Sequence, residues 1–192
     1  NAHKVGGLQG NYYHNIYLQG QPSLTRVDES VNFDWGTGKI TGTARSFVGI
    51  RWTGLVKAIY SETYTFVTNT TGFGPKLAIG GNVLVSELTT DHGCREWDPA
   101  RNCLFRAPSW KWNWDGSSTG DQGAYWATIA MTAGEYYDIL VDYRHRTGSA
   151  SVQLYWMSPS QTLEVVPSTR LYYAFQAVTG SPLTLKVDPS PT

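Results

Sequence analysis

The sequence predicts an all-β chain built as an antiparallel sandwich or barrel, and three observations carry that prediction. Apolar and polar residues alternate with period two in several segments. Glycine and asparagine punctuate those segments, and no window sustains a helical period. Residues 62–67 read Glu-Thr-Tyr-Thr-Phe-Val and set Tyr64 and Phe66 on one face. Gly80-Gly81 lies between Leu77-Ala78-Ile79 and Val83-Leu84-Val85, the pattern of a tight hairpin. Residues 137–143 put Tyr137, Ile139, Val141 and Tyr143 on one face, with Asp138 and Asp142 on the other. Residues 151–156 set Val152, Leu154 and Trp156 against Ser151, Gln153 and Tyr155. Gly72, Gly74, Gly134 and Gly148 mark turns between these runs.

The chain has 192 residues, enough for one domain with its own core and a tail. Lys and Arg together number 15, as do Asp and Glu, so no net field steers the chain toward nucleic acid or an anionic membrane surface. No apolar run approaches the length of a membrane helix, which argues against direct membrane insertion. The 8 Trp and 12 Tyr suit strands, and they equally suit surfaces that meet sugars or proteins. Cys94 and Cys103 match no zinc spacing, and His92 leaves such a set incomplete; a disulfide and an oxidising compartment are expected. Asn69-Thr70-Thr71 is a glycosylation sequon entering a Gly-rich loop, where an exposed Asn69 is expected. The opening Asn1-Ala2-His3-Lys4 reads as the start of a mature or excised fragment, and residues 177–192 as a linker toward a further domain.

Catalytic chemistry finds no support. Asp34, Asp138 and Asp142 invite an acid–base reading. However, Asp138 and Asp142 alternate outward on one strand, which fits ordinary surface positions. Gly36-Thr37-Gly38-Lys39 continues into Ile40 and is no phosphate loop, and neither G-x-S-x-G nor H-E-x-x-H occurs. Asn113-Trp114-Asp115-Gly116-Ser117 lacks the acidic residue that would close a calcium loop and reads as a polar turn. No metal and no cofactor are expected. Arg144, His145 and Arg146 precede Gly148 at the tip of a predicted hairpin. They are either a cationic tip for an acidic sugar or carboxylate partner, or three solvated polar residues.

A recognisable order of motifs emerges along the strands. It begins with Gly7-Leu8-Gln9-Gly10-Asn11-Tyr12-Tyr13, Leu24-Thr25-Arg26-Val27-Asp28 and Val31-Asn32-Phe33-Asp34-Trp35-Gly36. Next come Phe47-Val48-Gly49-Ile50-Arg51-Trp52-Thr53-Gly54, Tyr64-Thr65-Phe66, Lys76-Leu77-Ala78-Ile79-Gly80-Gly81 and Ala133-Gly134-Glu135-Tyr136. Leu154-Tyr155-Trp156 and Val166 to Tyr173 close the series. Over roughly residues 6–174 the chain resembles the PA14 domain family. The resemblance implies an antiparallel β-sandwich, expected here over residues 1–176. Many family members bind carbohydrate, several through a calcium ion held by two adjacent aspartates. At the corresponding positions this chain has Gly72 and Phe73, which offer no carboxylate oxygen, so no calcium is expected in that loop.

The resemblance also marks an insertion at about residues 88–122. It contains a loop that a Cys94–Cys103 disulfide would close, followed by Trp110-Lys111-Trp112-Asn113-Trp114. Trp97, Trp110, Trp112 and Trp114 are ligand-binding candidates, and two readings stay open: an aromatic platform for sugar rings or a partner, or one side of a packed strand. The expected function is a non-enzymatic, extracellular or cell-surface module for carbohydrate binding or adhesion. It would sit in a larger secreted or surface glycoprotein beside neighbouring domains of the same parent chain. The alternative is a protein–protein interaction module in an extracellular assembly, without sugar binding.

Overall fold

A computed structural model describes residues 2–71, 75–86, 110–112 and 123–175, with the backbone alone for residues 110–112 and 123. Strands β1 (Ala2–Val5), β2 (Leu8–Tyr13), β3 (Leu24–Asp28) and β4 (Asn32–Gly36) open the chain. The longer β5 (Val48–Lys57) and β6 (Glu62–Thr71) follow, then the hairpin of β7 (Lys76–Ile79) and β8 (Asn82–Ser86). After β9 (Trp110–Trp112) come β10 (Gly123–Met131), β11 (Tyr136–His145), β12 (Ala150–Ser158) and β13 (Gln161–Val165). A single 3-10 turn at Ser168–Arg170 leads into β14 (Leu171–Phe175).

The strands form two antiparallel sheets. One follows the order β1-β14-β5-β11-β7-β8, with β2 paired to β5 and β3 to β2. The other follows β13-β12-β6-β10-β9, with β4 paired to β12. The all-β sandwich expected from the sequence is therefore present. In each sheet one long strand shares an edge between two short ones. Gln9–Tyr13 and Leu171–Tyr172 divide one edge of β5, while β4 and β13 divide one edge of β12.

Alternation explains the layering. Ile50, Trp52 and Val56 of β5, Leu77 and Ile79 of β7, and Ile139, Val141 and Tyr143 of β11 are buried in the shared core. Tyr64 and Phe66 of β6 and Val152, Leu154 and Trp156 of β12 meet them from the other sheet. A column of rings runs through this core. Trp52 stacks on Phe33 (5.8 Å), Phe33 on Trp35 (4.9 Å), Trp35 on Tyr143 (6.2 Å) and Tyr143 on His145 (6.4 Å). The β7–β8 hairpin turns at Gly80 (φ +56°) and Gly81 (φ +80°), two successive left-handed residues that glycine adopts without steric cost.

Three sequence expectations require correction. Asp142 is buried rather than at the surface, because β11 lies between β5 and β7 and its outward carboxylate is held by Arg51. Arg144 and His145 are buried at the end of β11, and Arg146 is half-buried, so the three do not form a solvated tip. The β11 ladder to β5 continues through His145, which keeps these residues in the sheet rather than in the turn. Asn69 is half-buried near the middle of the second sheet, between Ala124 of β10 and Gln153 of β12. Its Nδ2 donates to Gln153 Oε1 (3.0 Å), because β6 stays paired as far as Thr71 instead of opening into the expected loop.

Candidate functional site

The outward faces of β2, β5, β11 and β7 form one continuous surface whose composition follows from the strand registers. Gln9 pairs with Thr53, Thr53 with Leu140, and Leu140 with Ala78, which makes one row across four strands. Two residues along, Asn11, Arg51, Asp142 and Lys76 make the next row. In the other direction Tyr172, Leu55 and Asp138 make a third. These side chains alternate with the core residues of the same strands and so share the outer face.

The Gln9–Thr53–Leu140–Ala78 row and Asp138 of the third row border a trough of about 430 Å³. Thr53, Gly54, Ile139, Leu140 and Ala78 line it, together with Gln9, Asp138, Gly81, His3 and Ala174. The small residues Ala78, Gly81 and Ala174 leave it open. Its polar members are a hydroxyl, an amide, an imidazole and a carboxylate. Asp138 is exposed, two residues from the exposed Tyr136 on the same strand face. Tyr136 meets Tyr172 edge-on at 5.0 Å and carries Lys57 Nζ 4.9 Å from its ring centre.

The row beside the trough is ionic. Arg51 grips Asp142 with two hydrogen bonds of 2.7 Å, Nε to Oδ1 and Nη2 to Oδ2, and Asp142 is 1% exposed. These bonds hold the Arg51 guanidinium above its usual range. Burial lowers the Lys76 ammonium; Asp142 opposes that shift, while Arg51 and Arg144 reinforce it. Burial likewise holds His145 below its usual value, outweighing a favourable interaction with the Gly148 backbone.

The three aspartates weighed for acid–base chemistry do not converge. Asp34 lies on β4 in the second sheet and accepts from the Gly36 N–H, whereas Asp138 and Asp142 lie on β11 of the first. Among the described residues no group of His, Cys, Asp and Glu is arranged to hold a metal. None of the described helices is long and apolar enough to cross a membrane. Trp110 and Trp112 lie on β9, the edge strand beside β10, opposite Trp126 and Ala124. Trp97, Trp114, Cys94, Cys103, Gly72, Phe73 and residues 177–192 lie outside the described residues. The trough was not expected from the sequence. Gln9, Thr53, Ala78 and Asp138 come from four separate strands, and only their registers align them.

Comparison with known proteins agrees with this fold. The sequence matches the PA14 domain over residues 4–170. It is 31% identical over 167 residues to anti-sigma-I factor RsgI3 of Acetivibrio thermocellus, an alignment that covers 86% of this chain and 21% of the relative. Among solved structures, an anti-sigma factor domain-containing protein from Clostridium clariflavum superposes with a TM-score of 0.66 at 30% identity. That match covers 92% of this chain and 50% of the other. A PA14 sugar-binding domain from an RTX adhesin superposes with a TM-score of 0.59, covering 89% of this chain and 100% of that domain. At 13% identity this likeness shows the fold alone. The chain thus spans about a fifth of the length of the curated relative it matches.

Proposed function

We propose, from the premise that this chain belongs to the PA14 domain family, that it is a non-catalytic carbohydrate-binding module of a larger extracellular or cell-surface protein. The observation that carries this reading is the trough on the outer face of the first sheet. Hydroxyl, amide and carboxylate groups stand there around the apolar atoms of Leu140 and Ala78. A sugar ring offers the same pairing, with hydroxyls at its rim and C–H groups on its faces. The sugar-binding adhesin domain of the same fold supports the reading. The anti-sigma factor relatives suggest a use for it: sugar occupancy outside the cell would be read by the rest of the chain.

Those same relatives favour a second reading, in which the module contacts protein within a sensing assembly and binds no sugar. A glycan array probed with the purified module, with and without chelator, separates the two. Retention on defined glycans supports the first reading, and a blank array at high protein concentration refutes it. The extracellular placement carries two further expectations. Cys94 and Cys103 form a disulfide, so alkylation without reduction adds no mass; two alkyl groups added under native oxidising conditions would show free thiols. Once the sheet has formed, the Asn69 amide held by Gln153 is expected to resist N-glycosylation; modification of Asn69 when the folded, unglycosylated protein is treated with the transferase in vitro would refute that.

A further inference from the structure

The trough has properties that narrow its ligand. It runs across the strands rather than along them, lined in turn by the β7–β8 turn, β11, β5, β14 and β1, with β2 alongside. At a strand spacing of about 4.8 Å, four steps span ~19 Å, room for a run of linked sugars rather than one terminal ring. Its lining contains one carboxylate, Asp138, and no lysine or arginine. The cations of the adjacent row face Asp142, on which Arg51 is held by two hydrogen bonds.

We infer that the outer-face trough binds a segment of an uncharged polysaccharide chain laid across β7, β11, β5, β14 and β1, without calcium. This deepens the carbohydrate-binding reading and rests on it. Asp138 accepts hydrogen bonds from sugar hydroxyls and repels the carboxylates of acidic sugars. Thr53 and Gln9 both donate and accept, which suits hydroxyls that do the same. Gln9 makes only a long contact to Asn11 Oδ1 (3.5 Å), so its amide is available. Leu140 and Ala78 present the apolar floor on which a ring's C–H face rests. Calcium needs several hard oxygen ligands, and a lining whose side chains offer one carboxylate, one amide and one hydroxyl does not supply them.

The test is affinity electrophoresis of the whole chain in gels containing mixed-linkage β-glucan, galactomannan or starch, with polygalacturonate as the acidic counterpart. Each gel is run with and without EDTA. Retardation is expected in at least one neutral gel, unchanged by EDTA. Ala78→Trp fills the trough floor and should abolish it. Asp138→Asn and Gln9→Ala together should weaken it at least about tenfold, the equivalent of ~1.4 kcal/mol. Melting temperatures identify any variant that fails to fold, and the Asp138/Gln9 pair lies on the surface, so it stays informative if Ala78→Trp does not fold. Neutral-gel retardation that survives both changes, or that EDTA abolishes, overturns the trough assignment and leaves carbohydrate binding standing. Retention on polygalacturonate alone overturns the uncharged ligand. No retention in any gel, with a blank glycan array, overturns both readings together.

Discussion

Replacing Asp28 with alanine removes the acceptor of three side chains at once. Asp28 is 6% exposed at the end of β3. Its Oδ2 accepts from Tyr12 Oη (2.6 Å) and Trp52 Nε1 (2.7 Å), and its Oδ1 from Arg26 Nε (2.6 Å). Arg26 Nη2 also donates to Tyr12 Oη at 2.7 Å, which closes the network. Tyr12 and Trp52 are fully buried, so their O–H and N–H cannot turn to water in place of the carboxylate. Removing one partner of a buried charge network costs about 3–5 kcal/mol. The Arg26 side chain is 40% exposed, so its own share is on the scale of a surface pair, about 0–1 kcal/mol. The loss therefore falls chiefly on Tyr12 and Trp52. For a domain of this size it corresponds to a fall in Tm of roughly 10 °C. Asp28→Asn can keep its oxygen toward Tyr12 and Trp52 but sets an N–H against Arg26, so it should cost about 1–2 kcal/mol. Urea unfolding followed by tryptophan fluorescence measures both variants. A cost for Asp28→Ala below about 1 kcal/mol would refute the reasoning, as would Asn and Ala proving equally damaging.

Four further outcomes follow from the structure. Gly54→Ala puts a Cβ 2.1 Å from Tyr172 O and 2.8 Å from Leu8 Cδ2, and should destabilise by at least about 1–3 kcal/mol. Gly42→Ala meets open space and should leave the Tm nearly unchanged when both glycine variants are compared by calorimetry. Burial lowers the folded-state pKa of His145, so the unfolded chain takes up this proton first. Stability from this group is full above the ordinary value of 6.5 and falls as the pH drops below it. Comparing Tm between pH 5 and 8 (about the range a histidine spans) for the natural chain and His145→Phe isolates that slope; identical slopes would assign it elsewhere. Asp142→Ala strands Arg51 and Lys76 on the sheet and should cost about 3 kcal/mol, while Arg51→Met with Asp142→Leu recovers most of it. A double variant no better than Asp142→Ala, in urea titration, would show that the ion pair is not what matters there.

The sequence by itself determined several of the strands, because alternation and turn chemistry are local. Tyr64 and Phe66, Ile139 and Val141, and Val152 and Trp156 lie inward as their spacing requires, and Gly80-Gly81 turns the hairpin as that pair requires. The motif order likewise placed the chain in its family before any strand had been paired. Pairing between distant strands was not legible, because register depends on which strands become neighbours and local alternation is blind to that. Asp138 and Asp142 have the same spacing logic, yet Asp138 is exposed while Asp142 is buried. The difference is the partner that register supplies: Arg51, 91 residues away, opposite Asp142, and Leu55 opposite Asp138. The Asn69 sequon reads as a loop until β10 and β12 close on either side of it. Arg144 and His145 read as a tip until the β5 ladder extends through them. The trough and the Asp28 network exist only after Gln9, Thr53, Leu140 and Ala78, or Tyr12, Asp28 and Trp52, are brought together from separate strands. Burial and hydrogen-bond partnership belong to the assembled sheets, so the tertiary structure alone decided them.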